Sequence, residues 1–86
     1  MHTVELFEHL VRVAEKLGYQ VRHEYLVGAG GGRCEIGGKK WIFIDLALNS
    51  SEQLEQIVEA LREDPAIYTV AMPGDVTALM EMRRAA

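Results

Sequence analysis

Lys40-Trp41-Ile42-Phe43-Ile44-Asp45-Leu46-Ala47-Leu48 is the stretch on which the fold turns. In an extended chain, successive side chains point to opposite faces. Trp41 and Phe43 then share one face, and Ile42, Ile44 and Leu46 share the other. A strand that is apolar on both faces sits in the middle of a sheet and needs cover on both sides. The residues before it, Gly37-Gly38, tolerate positive φ and read as a tight hairpin turn. Residues 33–36 therefore form a short strand that pairs with 40–48.

Upstream of that hairpin lies Gly28-Ala29-Gly30-Gly31-Gly32, a flexible connector. Before it, residues 20–27 alternate. Val21, His23, Tyr25 and Val27 share one face, while Gln20, Arg22 and Glu24 share the other. The polar face marks a half-exposed strand at or near a sheet edge. Residues 3–17 instead repeat apolar positions at helical spacing: Val4, Phe7, Leu10, Val11 and Ala14, widened by Leu6, Val13 and Leu17. Thr3 is the expected cap and Gly18 the expected stop.

Downstream, Ser50 with Gln53 fits a capping box, and Leu54, Ile57, Val58 and Leu61 form a buried helical stripe that ends at Pro65. Residues 66–72 read as a last strand. Pro73-Gly74 turns the chain, Asp75 caps, and residues 76–84 form a short helix with Val76, Leu79 and Met80 inward. The expected fold is α+β, in the order α-β-β-β-α-β-α, as a single domain over residues 1–86. Its small sheet has about four mainly antiparallel strands. Two amphipathic helices lie on one face, with a short C-terminal helix. Two helices cover one side of the sheet. Either the short third helix or another subunit covers the apolar second face of 40–48; the expectation is a homodimer or small homo-oligomer, or a protein partner, with Trp41, Phe43 and Tyr25 at the interface.

The chain has 86 residues, 49% of them apolar and 26% charged, and a net charge of −4. That acidic balance argues against nucleic acid and against an anionic membrane surface. Lys39-Lys40 and Arg83-Arg84 are too short to reverse it. No apolar run approaches the ~18 residues of a membrane-spanning helix. The N-terminus lacks a basic region followed by an apolar run, so no signal peptide is read there. Cys34 is the single cysteine. One thiol makes no internal disulfide, and a cytoplasmic location is the expectation.

Candidate chemistry is sparse. Gly30, Gly31 and Gly32 invite a ligand loop, but a phosphate cradle needs a helix directly after its glycines, and Arg33-Cys34-Glu35-Ile36 reads as a strand. Cys34 is expected to be a small buried core residue, as a free cysteine commonly is; the alternative is a nucleophile or metal ligand, if His23 or Arg33 lies close enough to favour its thiolate, since His23 and Cys34 flank the glycine loop. His2, His9 and His23 have no ligand spacing and no Cys-x-x-Cys occurs, so no metal and no cofactor is expected. Asp45 and Glu24 are a possible carboxylate pair, with a solvated strand end as the simpler account of Asp45. Glu52, Glu55, Glu59 and Glu63 line one side of the second helix as a solvated face. No catalytic constellation emerges. The expected function is a non-enzymatic module that self-associates or binds a protein. The alternative is a small-ligand or thiol-dependent protein using Cys34, His23 and the glycine loop.

Gly-Gly-Arg-Cys at 31–34, Ile-Phe-Ile-Asp at 42–45 and Leu-x-x-Ile-Val-x-x-Leu at 54–61 together resemble a group of short bacterial proteins with no assigned activity. The resemblance spans nearly the whole chain. It implies a helix, a Gly-Gly-x-Cys hairpin, a second helix, a final strand and a Pro-containing turn. The hairpin followed by a capped helix is also similar in layout to minimal zinc metallopeptidase domains, whose helix carries His-Glu-x-x-His. Here Glu59, Ala60 and Glu63 stand where that motif would fall, so the similarity implies no peptidase activity.

Overall fold

A computed structural model describes residues 2–85, with side chains as far as residue 81, so the side chains of Arg83-Arg84 lie outside the described residues. The chain runs α1 (Thr3–Lys16), β1 (Tyr19–Glu24), β2 (Gly32–Ile36), β3 (Lys39–Asp45), α2 (Ser50–Arg62), a 3-10 helix (Pro65–Thr69) and α3 (Gly74–Ala85). It is an α+β fold. Its three strands are ordered β1-β3-β2, with β3 central.

β2 and β3 form the expected hairpin. Gly37 and Gly38 turn it at φ +58° and +81°, a pair of values that residues with a Cβ rarely adopt. The antiparallel register sets Ile36 against Lys39 and Cys34 against Trp41. β1 pairs parallel to β3, with Val21 beside Ile42 and His23 beside Ile44. The sheet is therefore mixed and three-stranded, not a mainly antiparallel sheet of about four strands. The connection over residues 25–31 carries the chain across the end of β3 to reach the far edge. This also shortens β1, which ends at Glu24 and leaves Tyr25 and Val27 in the connection.

The missing fourth strand is the segment over 66–72. Asp64 stands at the N-cap of a 3-10 helix, its Oδ1 accepting the Ala66 N–H at 3.0 Å, and Pro65 occupies the first turn. Proline's fixed φ suits that position. The apolar pattern here buries Ile67 against the core and does not require a strand partner. Local capping outweighs the β-propensity of Ile-Tyr-Thr-Val.

α1 and α2 pack side by side on one sheet face. α1 buries Leu10, Val13 and Ala14; α2 buries Leu54, Ile57, Val58, Ala60 and Leu61. Ile42 and Ile44 meet them from β3, both with no exposed surface. Each such side chain contributes roughly 1.5–3 kcal/mol by leaving water. α3 adds Val76 and Met80 to the same core, packing on α2.

Both helix starts lie one residue earlier than the sequence reading set them. His2, not Thr3, is the N-cap of α1, and its side chain makes no cap hydrogen bond. The capping box of α2 uses Asn49 and Glu52, not Ser50 and Gln53. The Asn49 side chain accepts the Glu52 N–H at 2.9 Å, and the Glu52 carboxylate accepts the Asn49 N–H at 3.0 Å. Gln53 instead donates to the Leu48 carbonyl at 3.0 Å. Asp75 lies inside the first turn of α3.

Candidate functional site

A polar cluster ties the sheet to the end of α2. Tyr19 opens β1 and is buried. Its hydroxyl donates to Asp64 Oδ2 at 2.7 Å and accepts from Arg33 Nη1 at 3.2 Å. Lys40 Nζ lies 3.5 Å from Asp64 Oδ2 and 4.4 Å from the Tyr19 ring centre, and it donates to the Leu17 carbonyl at 2.9 Å. One network thus joins β1, β2, β3, the α1–β1 turn and the 3-10 helix.

The electrostatics follow from this geometry. The Tyr19 hydroxyl, the Ala66 N–H and Lys40 hold the Asp64 carboxyl below its usual range against the opposing effect of burial. Burial raises the Tyr19 phenol, with the Asp64 hydrogen bond and charge adding to it and the Arg33 hydrogen bond opposing. The Arg33 guanidinium is raised, chiefly by its bond to Tyr19. The tyrosine stays protonated and the aspartate ionised, each paired with the other. The geometry of the cluster makes it a structural tie, and its members come from positions as far apart as Tyr19 and Asp64.

The proposed thiol site is not assembled. His23 lies on β1 and points to the helix side, where its ring meets Phe7 edge-on at 5.6 Å. Cys34 lies on β2, on the opposite face and at the opposite edge, with β3 between them. Cys34 is not the buried core cysteine expected from the sequence: it lies on an edge strand and on the face away from the helices, so its thiol is free and exposed, with a weak contact 4.0 Å from the Glu35 carbonyl oxygen.

The glycine loop also has a packing role. A Cβ at Gly31 would fall on the Gln56 side-chain amide and lie 2.6 Å from the Phe43 carbonyl oxygen. Only glycine lets the chain pass there. Gln56 Oε1 in turn accepts the Asp45 N–H at 2.8 Å, locking α2 to the end of β3. Gly30 and Gly32 flank this contact in the arch itself, both at positive φ.

Asp45 and Glu24 do become neighbours, as register partners on adjacent strands. Each is already engaged. Asp45 Oδ1 accepts the N–H groups of Ala47 at 3.0 Å and Leu26 at 3.4 Å, so it shapes two loops. Glu24 pairs with Arg22 at 3.3 Å.

What remains is surface. The sheet face away from the helices carries Trp41 and Phe43, stacked with centres 6.0 Å apart and planes 16° apart. The Arg22 guanidinium lies 5.9 Å from the centre of the Trp41 ring. Cys34 and Ile36 continue this face on β2, and Ile36 is 57% exposed. No described helix covers it; α3, the other candidate cover, packs on α2. Tyr25 is 70% exposed, in the connection beyond β1. A separate groove of about 480 Å³ runs between the outer edge of β2 and α2, where Glu52, Glu55, Glu59 and Glu63 line it opposite Gly31 and Arg33.

No family model, no curated protein and no solved structure matches this chain. Among the described residues, no group of three His, Cys, Asp or Glu side chains is placed to hold a metal ion. Among the same residues, no helix is long and apolar enough to cross a membrane.

Proposed function

We propose that this chain is a non-enzymatic interaction module whose open sheet face pairs with a second copy. The observation that carries this reading is the Trp41–Phe43 stack on a sheet face that no described helix covers. Antiparallel and mixed sheets tolerate one solvated face, but that face is then polar in alternation. Here the central strand presents two aromatic rings, and Cys34 and Ile36 extend the apolar area on β2. Large aromatic side chains dominate the energetics of protein interfaces.

The charges on this face favour a self-partner. Arg22 and Lys39 share it with Glu24 and Asp45 by strand alternation. A two-fold axis running across the strands at the aromatic pair sets Lys39 of one copy against Asp45 of the other, and neither sign is in excess. Two such sheets pack about 10 Å apart, a spacing that Trp and Phe side chains fill.

Native mass spectrometry and sedimentation at micromolar concentration test the reading. A dimer is expected for the unmodified chain, and a monomer with an unchanged circular dichroism spectrum for Trp41→Ser/Phe43→Ser. A monomer for the unmodified chain across the micromolar range refutes it.

A further inference from the structure

The second exposed structure is the outer edge of β2. Ile36 and Lys39 flank a two-residue turn, so they form the hydrogen-bonded pair that closes the hairpin. Hydrogen-bonded and non-bonded pairs alternate along an antiparallel ladder. The N–H and C=O groups of Cys34 therefore point at β3, and those of Arg33 and Glu35 point outward. Among the described residues no strand lies beyond β2. Such an edge is a template for one more strand.

The wall beside that edge is specific. α2 rests over both β2 and β3, and its outer side overlooks the space where a further strand would lie. Glu52, Glu55, Glu59 and Glu63 line this side. Among the described side chains, the cations here are Arg33, exposed at the groove with a bond to Tyr19, and Arg62, paired with Glu59 at 3.0 Å, so two cations stand against four glutamates. Acidic charge stays in excess. A second copy is a poor occupant. Pairing β2 with its own mate sets two acidic helices against each other, and like charges facing across an interface oppose association.

From this placement we propose that β2 and α2 together form a docking groove for an extended, basic segment of another protein, which adds to the sheet as its fourth strand. Main-chain bonds to Arg33 and Glu35 hold the segment, as in other cases of strand addition. Side chains on the helix side of the added strand meet the glutamates, which selects Lys or Arg at alternate positions. The intervening side chains lie beside Gly32 and Cys34 on the open face and are apolar. This surface differs from the Trp41–Phe43 face, so either proposal can fail alone.

The probe is a fluorescein-labelled peptide, Lys-Val-Lys-Val-Lys-Val-Lys, titrated into the full chain. Two controls accompany it: the same peptide with N-methyl groups on the amides that face β2, and the same sequence with Glu in place of Lys. Binding by the first peptide is expected, weakening with added salt, with none by the Glu peptide. Amide exchange at Arg33 and Glu35 should slow about ten-fold or more when the groove is filled, since an amide bonded to the added strand exchanges only when that bond opens. The N-methyl peptide keeps its charge and should bind at least about ten-fold more weakly. Glu55→Gln/Glu59→Gln/Glu63→Gln preserves shape, removes charge and should weaken binding by a similar factor. No binding of the Lys peptide overturns the proposal. So does equal binding of the N-methyl peptide, or binding that leaves the Arg33 and Glu35 amides unprotected.

Discussion

Tyr19→Phe removes one oxygen atom from the polar tie and leaves its packing in place. The lost bond is a 2.7 Å hydroxyl-to-carboxylate contact between buried partners. Hydrogen bonds to charged groups contribute about 1.5–3 kcal/mol. Asp64 keeps the Ala66 N–H and the Lys40 ammonium, so it is not orphaned. The Arg33 N–H freed by the change belongs to an exposed residue and turns to water. The net loss is therefore about 2 kcal/mol, which for a domain of this size lowers Tm by roughly 10 °C. Urea titration followed by circular dichroism measures it directly. The pH dependence is the sharper test. Asp64 has a depressed pKa in the folded chain, with the Tyr19 hydroxyl as the largest cause. Its contribution is complete above the unfolded value of about 4 and is lost as pH falls through the folded value. The gap between parent and variant should be widest near neutrality and narrow below about pH 4, towards the roughly 1 kcal/mol of a neutral pair. A gap that stays constant from neutral to acidic pH refutes the charge-assisted reading. A Tyr19→Phe variant as stable as its parent refutes the whole tie.

Gly31→Ala forces a Cβ onto Gln56 and the Phe43 carbonyl, and should cost about 1–3 kcal/mol in urea unfolding. Gln56→Ala should not rescue it fully, because the carbonyl oxygen remains at 2.6 Å. Asn49→Ala breaks the α2 capping box and should lose about 1 kcal/mol, with Ser50→Ala near neutral in the same assay. Cys34 is exposed in the single chain and lies on the face proposed to pair, so a thiol reagent should label it completely in the Trp41→Ser/Phe43→Ser monomer and more slowly in the dimer; equal labelling of the two would place Cys34 outside the interface.

The helices were legible because their signal is local. A stripe at helical spacing declares its buried face within four turns, and Leu54, Ile57, Val58 and Leu61 all lie in the core. The polar tie had no such signal. Tyr19 and Asp64 are 45 positions apart, and each is unremarked in its own neighbourhood. The nearest local hint is Asp64-Pro65, an acceptor followed by a residue suited to the first turn of a short helix. Read that way, it argues against a strand directly after it.

The strand order was more accessible than the expectation of a mainly antiparallel sheet suggests. Residues 40–48 are apolar on both faces, which puts β3 in the centre. The Gly37-Gly38 turn puts β2 beside it, antiparallel. The polar alternation of Gln20, Arg22 and Glu24 marks β1 as an edge. A central β3 with β2 on one side leaves β1 only the other side. A connection as short as 25–31 crosses the end of β3 and joins chain ends at the same end of the sheet. β1 must then run antiparallel to β2, hence parallel to β3, as it does. These same steps leave the outer edge of β2 open and the half-buried Trp41–Phe43 pair with no helix over it, because no segment remains in the described chain to cover either. Both proposed docking surfaces thus descend from one fact: a central strand too apolar for the small set of elements that surrounds it.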